Sequence, residues 1–121
     1  MATFGEMLRE RRKELRLGLR EFALRAGMDA GNLSKIERGR MSPPQSIDIL
    51  DRICLALELD PSDDGAARLR ASAATENGRI PEDIMSDAEV MAQLPILLRT
   101  LQNKQIDAEQ LEKLIEMIRN A

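Results

Sequence analysis

The chain has 121 residues, 32% of them charged, with a net charge of −3 and no histidine. Without imidazole it lacks the commonest general base, the commonest zinc ligand and every Ser-His or Cys-His nucleophile. One cysteine, Cys54, completes neither a metal cluster nor an internal disulfide.

Phe4 and Phe22 are the only aromatic residues, so the core has to be built from Leu, Ile, Ala and Met. That composition suits packed helices and suits a sandwich or barrel badly. No apolar run reaches the ~20 residues of a membrane span. The first residues, MATFGEMLRERRKEL, lack the apolar stretch of a signal peptide. The expectation is a cytoplasmic, all-α protein with no catalytic role, no metal and no cofactor. Its charge is uneven: residues 1–40 hold ten Lys/Arg against six Asp/Glu, and residues 41–121 hold eight against fifteen. A basic front and an acidic rear fit a chain whose front meets a polyanion.

Taken in order, Thr3-Phe4-Gly5-Glu6 reads as a capping box. The helix it opens runs to about Arg16, with Phe4, Leu8 and Leu15 inward. Leu17-Gly18 breaks it. A two-turn helix, Leu19 to Ala26, buries Phe22 and Ala23 and ends at Gly27, which can adopt the left-handed conformation. Asp29 caps a third helix, Ala30 to about Arg38, that buries Leu33 and Ile36 and stops at Gly39.

Ser42-Pro43-Pro44-Gln45 reads as a second capping box, with proline at the first helical position. It opens a fourth helix with Ile47, Leu50, Ile53, Cys54 and Leu57 at helical spacing, Cys54 facing the core. A weaker fifth helix spans roughly Ser62 to Ala74. Thr75 to Asp83, TENGRIPED, lacks periodicity and reads as a boundary, dividing the chain into domains 1–75 and 76–121. Beyond it, Ser86-Asp87-Ala88-Glu89 is a further capping box. The apolar stripe that follows carries Val90, Met91, Leu94, Leu97, Leu98 and Leu101, with Pro95 as a kink. Asp107 caps the last helix, whose Leu111, Leu114, Ile115 and Ile118 share a face.

Two short helices around a glycine-bearing turn outline a helix-turn-helix. The order FGEMLRERRKELR, LREFALRAGM and NLSKIERGR, followed by proline and an apolar helix, resembles the lambda-repressor-like (Xre-type) DNA-binding domain of bacterial and phage regulators. The resemblance covers about residues 3–60. Its most specific parts are the Ala23-to-Gly27 step and the Ser34-to-Gly39 run, Ser-Lys-Ile-Glu-Arg-Gly. It implies a five-helix DNA-binding domain followed by a two-to-three-helix extension.

Ala23 is then small where two helices cross closely, and Leu33 and Ile36 anchor the third helix. This leaves Ala30, Gly31, Asn32, Ser34 and Lys35 to face the major groove. Asn32 suits adenine, Ser34 several base edges, and Lys35 guanine or phosphate. Arg38, Arg40 and Arg20 are expected on phosphates. Arg12 and Glu37 match positions that form an internal ion pair in similar domains. The chain departs from the pattern at Gly18, where Ser or Thr usually caps the second helix, and at Leu19, often Gln.

One domain of this size reaches few bases, so such proteins pair as two-fold dimers on half-sites about 34–36 Å apart. Leu98, Leu101, Leu111, Leu114, Ile115 and Ile118 are the expected dimerisation seam; alternatively, the rear helices fold back on the first domain. The expected function is a homodimeric repressor of an inverted-repeat operator on double-stranded DNA. The alternative is an antitoxin that binds a toxin with its rear helices and represses its own operon. A regulatory peptidase is a further protein partner that similar regulators meet.

Overall fold

The computed structural model describes residues 2–121. Eight helices and no strand are present among the described residues: α1 (Phe4–Glu14), α2 (Leu19–Ala26), α3 (Ala30–Glu37), α4 (Ile47–Ala56), α5 (Asp64–Glu76), α6 (Glu82–Met85), α7 (Ala88–Lys104) and α8 (Ala108–Arg119). They fall into two compact units, Met1–Pro81 and Glu82–Ala121.

The first unit holds one core. Phe4, Leu8, Phe22, Ala26, Leu33, Ile53, Leu57 and Ala66 are all fully buried in it. α1 packs on α3 and α5, while α2 packs on α3 and α4. The sequence dictates most of the ends. Thr3 Oγ1 accepts from the Glu6 N–H at 3.2 Å, and the Glu6 carboxylate accepts from the Thr3 N–H at 3.3 Å. This closes the capping box. α1 ends at Glu14 with Leu15 as its C-cap, two residues short of the expected Arg16, and Arg16, a non-glycine residue at φ 57°, turns the chain just before Leu17-Gly18.

Two boundaries differ from expectation for identifiable reasons. α4 begins at Ile47 with Ser46 as its N-cap, not at Pro43. Pro44 forces the residue before it out of the helical region, so Pro43 cannot open a helix and the Ser42 capping box does not form. Ile47, expected inside, consequently starts the first turn half exposed. α5 begins at Asp64, two residues late, because Asp60 folds the chain into a turn. Its Oδ1 accepts from the Ser62 N–H and hydroxyl at 2.9 and 2.6 Å. Those bonds hold the Asp60 carboxyl below its ordinary pKa. α5 then continues through Thr75 to Glu76. There the Glu76 carboxylate accepts from the Phe4 N–H at 2.6 Å and the Ser72 hydroxyl at 2.8 Å, joining the end of α5 to the start of α1.

In the second unit, Asp107 caps α8 and exchanges hydrogen bonds with Gln110, another capping box. α7 is capped by Asp87 and not by Ser86. The Ser86 hydroxyl instead donates back to the carbonyls of Glu82 and Asp83, the first two residues of α6, which removes it from the next helix. α7 runs through Pro95, which brings no N–H to the helix there.

Candidate nucleic-acid interface

α2, the turn at Gly27-Met28-Asp29 and α3 carry most of the residues expected to meet DNA. Gly27 sits at φ 67°, and its N–H donates to the Leu24 carbonyl while Met28 closes on Ala23 at 2.8 Å. The chain can therefore reverse within three residues. Asp29 Oδ2 then accepts from the Asn32 N–H at 2.9 Å, fixing where α3 starts. At the other end Gly39, φ 73°, lets its own N–H reach the Ile36 carbonyl and the Arg40 N–H reach that of Lys35. Both ends of an eight-residue helix are thus closed by local chemistry.

The inner face of α3 is Leu33, Ile36 and Glu37, all buried. Glu37 is the one buried charged residue among the described residues, and Arg12 answers it. Arg12 Nε donates to Glu37 Oε2 at 2.7 Å and Nη2 to Oε1 at 2.9 Å, while Nη1 donates to the Leu17 carbonyl at 2.8 Å. The bidentate bond to Glu37 raises the guanidinium pKa further. One side chain thereby ties α1, the link into α2 and α3 together.

The outer face follows from helical spacing. Gly31, Ser34, Lys35 and Arg38 stand at i, i+3, i+4 and i+7 and form one stripe, with Asn32 at its margin. Gly31, Asn32, Lys35, Arg38 and Arg40 are exposed, and Ser34 is half-buried. Arg38 Nε folds back to the Ser34 carbonyl at 3.3 Å, laying the guanidinium along the last turn. Ala30 is also half-buried, its methyl packed against the core, so it offers less of itself outward than its neighbours do. Arg20 is exposed in the first turn of α2, whose N-cap, Gly18, supplies no side-chain acceptor.

Among the described residues, Arg11, Arg12 and Arg25 are paired with glutamates, whereas Arg20, Lys35, Arg38 and Arg40 take part in no ion pair. These cations on and around α3 therefore stand outside any ion pair among the described residues, and the one buried acid of α3 is held from behind by Arg12.

Three contacts that position this surface escaped the sequence reading. A Cβ on Gly5 would collide with the Ile36 carbonyl oxygen and lie 2.9 Å from that of Glu37, so α1 and α3 touch backbone to backbone there. A glycine in the first turn of an otherwise strong helix was the available signal. Arg11 Nε donates to the Leu57 carbonyl at 3.1 Å, holding the end of α4. The Glu76 bond to the N–H of Phe4 joins residues 72 positions apart and leaves no trace in local pattern.

The seam residues lie in the second unit. Leu98, Leu111, Ile115 and Ile118 are exposed, and Leu101 and Leu114 are half-buried.

The fold and this surface define a helical DNA-binding module of the helix-turn-helix class. A family model described as a helix-turn-helix domain matches residues 3–69, more than half of the chain, which therefore belongs to that family. The match extends past α4 into α5. No curated protein and no solved structure matches the chain.

Proposed function

We propose that the protein is a transcriptional repressor of the Xre, lambda-repressor-like type, which binds an inverted-repeat operator as two copies. The observation that carries this reading is the stripe Gly31, Ser34, Lys35 and Arg38. It is small or polar, carries two cations outside any ion pair among the described residues, and lies opposite the buried Leu33 and Ile36. In this reading the first turns of α3 lie in the major groove. Absence of a side chain at Gly31 lets the helix approach the base edges, which Asn32, Ser34 and Lys35 read. Arg20, Arg38 and Arg40 hold phosphates and set the register. Two copies on adjacent major grooves occlude the promoter.

The test is to sequence the DNA that the protein retains from fragmented genomic DNA, then titrate the recovered duplex against random competitor at moderate salt. Asn32→Ala and Lys35→Ala are expected to weaken binding by roughly 5- to 150-fold, the worth of a lost base contact. Arg40→Ala should weaken all duplexes alike and flatten the salt dependence by about one unit. Retention of parental affinity by both Asn32→Ala and Lys35→Ala would overturn this docking.

A further inference from the structure

α6, α7 and α8 contain no buried residue, although the second unit carries Ile84, Met85, Val90, Ile96, Leu97, Leu98, and four large apolar residues of α8. α8 is the sharpest case. Within the second unit it makes no sustained packing with α6 or α7, and Met117 and Ile118 are 70% and 68% exposed. A 12-residue helix, about 18 Å long, is marginal alone in water, so an apolar face left open in this way calls for a partner.

The polar residues of α8 specify which partner. Leu111, Leu114, Ile115 and Ile118 form the apolar stripe. Glu112 and Arg119, seven residues and two turns apart, lie along one flank of it, and Gln110 and Met117 lie along the other. Glu109 and Lys113 are on the opposite side of the helix, where they face each other at 3.7 Å. Glu112 and Arg119, by contrast, belong to no ion pair among the described residues.

We propose that α8 docks antiparallel on α8 of a second copy of this chain, with reciprocal ion pairs between Glu112 of each copy and Arg119 of the other. A two-fold axis through the middle of the stripe sets Leu111 opposite Ile118 and Leu114 opposite Ile115, twice over. It also brings like flanks together, end against end, so the early Glu112 meets the late Arg119. A parallel pair would instead lay that flank along Gln110 and Met117 and leave both charges unanswered. The antiparallel arrangement also opposes the two helix dipoles. The proposal rests on the reading that the protein acts as two copies, and it names the surface that joins them.

The test uses full-length protein without DNA, by sedimentation equilibrium over a concentration series. Glu112→Arg alone and Arg119→Glu alone each place like charges across both contacts, and each should weaken the dimer about tenfold. Mixed in equal amounts, the two variants should form a heterodimer of parental strength, since every cross-contact is again Arg to Glu. The double variant E112R/R119E should likewise recover. Both positions are exposed, and unchanged helical circular dichroism would show that the variants fold. A parent chain that stays monomeric, single swaps without effect, or a mixture no stronger than its components would each overturn the pairing. Because the readout omits DNA, a swap-sensitive dimer that binds no duplex upholds the pairing and overturns only the repressor reading.

Discussion

The Arg12–Glu37 pair allows a prediction with two opposite outcomes. The Arg12 side chain is 12% exposed and that of Glu37 is 5% exposed, so neither charge has water to turn to. Replacing Arg12 by Met keeps much of the volume but strands a buried carboxylate and removes the donor to the Leu17 carbonyl. Breaking a buried pair from one side costs about 3–5 kcal/mol. In a domain this small, with ~5–15 kcal/mol of total stability, that is a loss of at least ~12 °C in Tm. Removing both charges is different. Arg12→Met with Glu37→Leu leaves no unpaired ion, and such replacements are often neutral or better. Only the Leu17 carbonyl is left short of a donor, at about 1 kcal/mol. The double variant should therefore stand within ~2 kcal/mol of the parent by urea unfolding followed at 222 nm. A single variant that loses under ~1 kcal/mol, or a double variant no more stable than the single, would refute the reasoning.

Two more outcomes follow from single positions. Gly5→Ala would normally stabilise a helix by up to ~1 kcal/mol, yet here the added methyl meets two carbonyl oxygens of α3, so a net loss of ~1–3 kcal/mol is expected. Gly65→Ala in α5, where the methyl meets only Leu59 Cδ2 at 3.5 Å, is the control and should be neutral or stabilising in the same melt. Burial pushes the Cys54 thiol up in pKa, an effect that Arg70 opposes. A raised folded pKa favours the fold below the unfolded thiol value of about 8.5 and loses that contribution as pH rises through the folded one. Native protein at pH 8 should accordingly react with a disulfide reagent at the rate of its unfolding; labelling as fast as in urea would contradict a closed core.

What the sequence made legible was chemistry that closes within three or four residues. Thr3, Asp29 and Asp107 each cap the helix that follows them, Gly27 takes its positive φ, and α2 occupies Leu19–Ala26. The misreadings arose where two local rules competed. Ser42 offered a capping box that Pro44 vetoed through its neighbour, and Ser86 offered another but was already spent on the carbonyls of α6. Arg12 on Glu37 was legible through the resemblance, whereas two other contacts behind the surface were not, for a different reason. Gly5 against Ile36 and Glu76 on Phe4 join residues dozens of positions apart; the glycine in the first turn of α1 hints at the first contact without naming its partner, and nothing local marks the second.

α3 shows why such non-local contacts matter at the surface. Eight residues that include a glycine and an asparagine are too few, and too poor in helix formers, to hold a helix alone. Four restraints do so: the Asp29 cap, the buried Leu33 and Ile36, the Arg12 bond to Glu37, and the Gly39-Arg40 closure. Every one of them acts at an end or on the inner face. The outward stripe at 31, 34, 35 and 38 is left almost free of folding duties, apart from the turn that Arg38 makes onto Ser34. Exposed substitutions there should move stability by only ~0.5 kcal/mol. The same helix can therefore change what it touches while staying where it is. Loss of DNA binding at Lys35 with an unchanged melt, set against loss of the fold at Arg12, would separate the surface that reads from the scaffold that positions it.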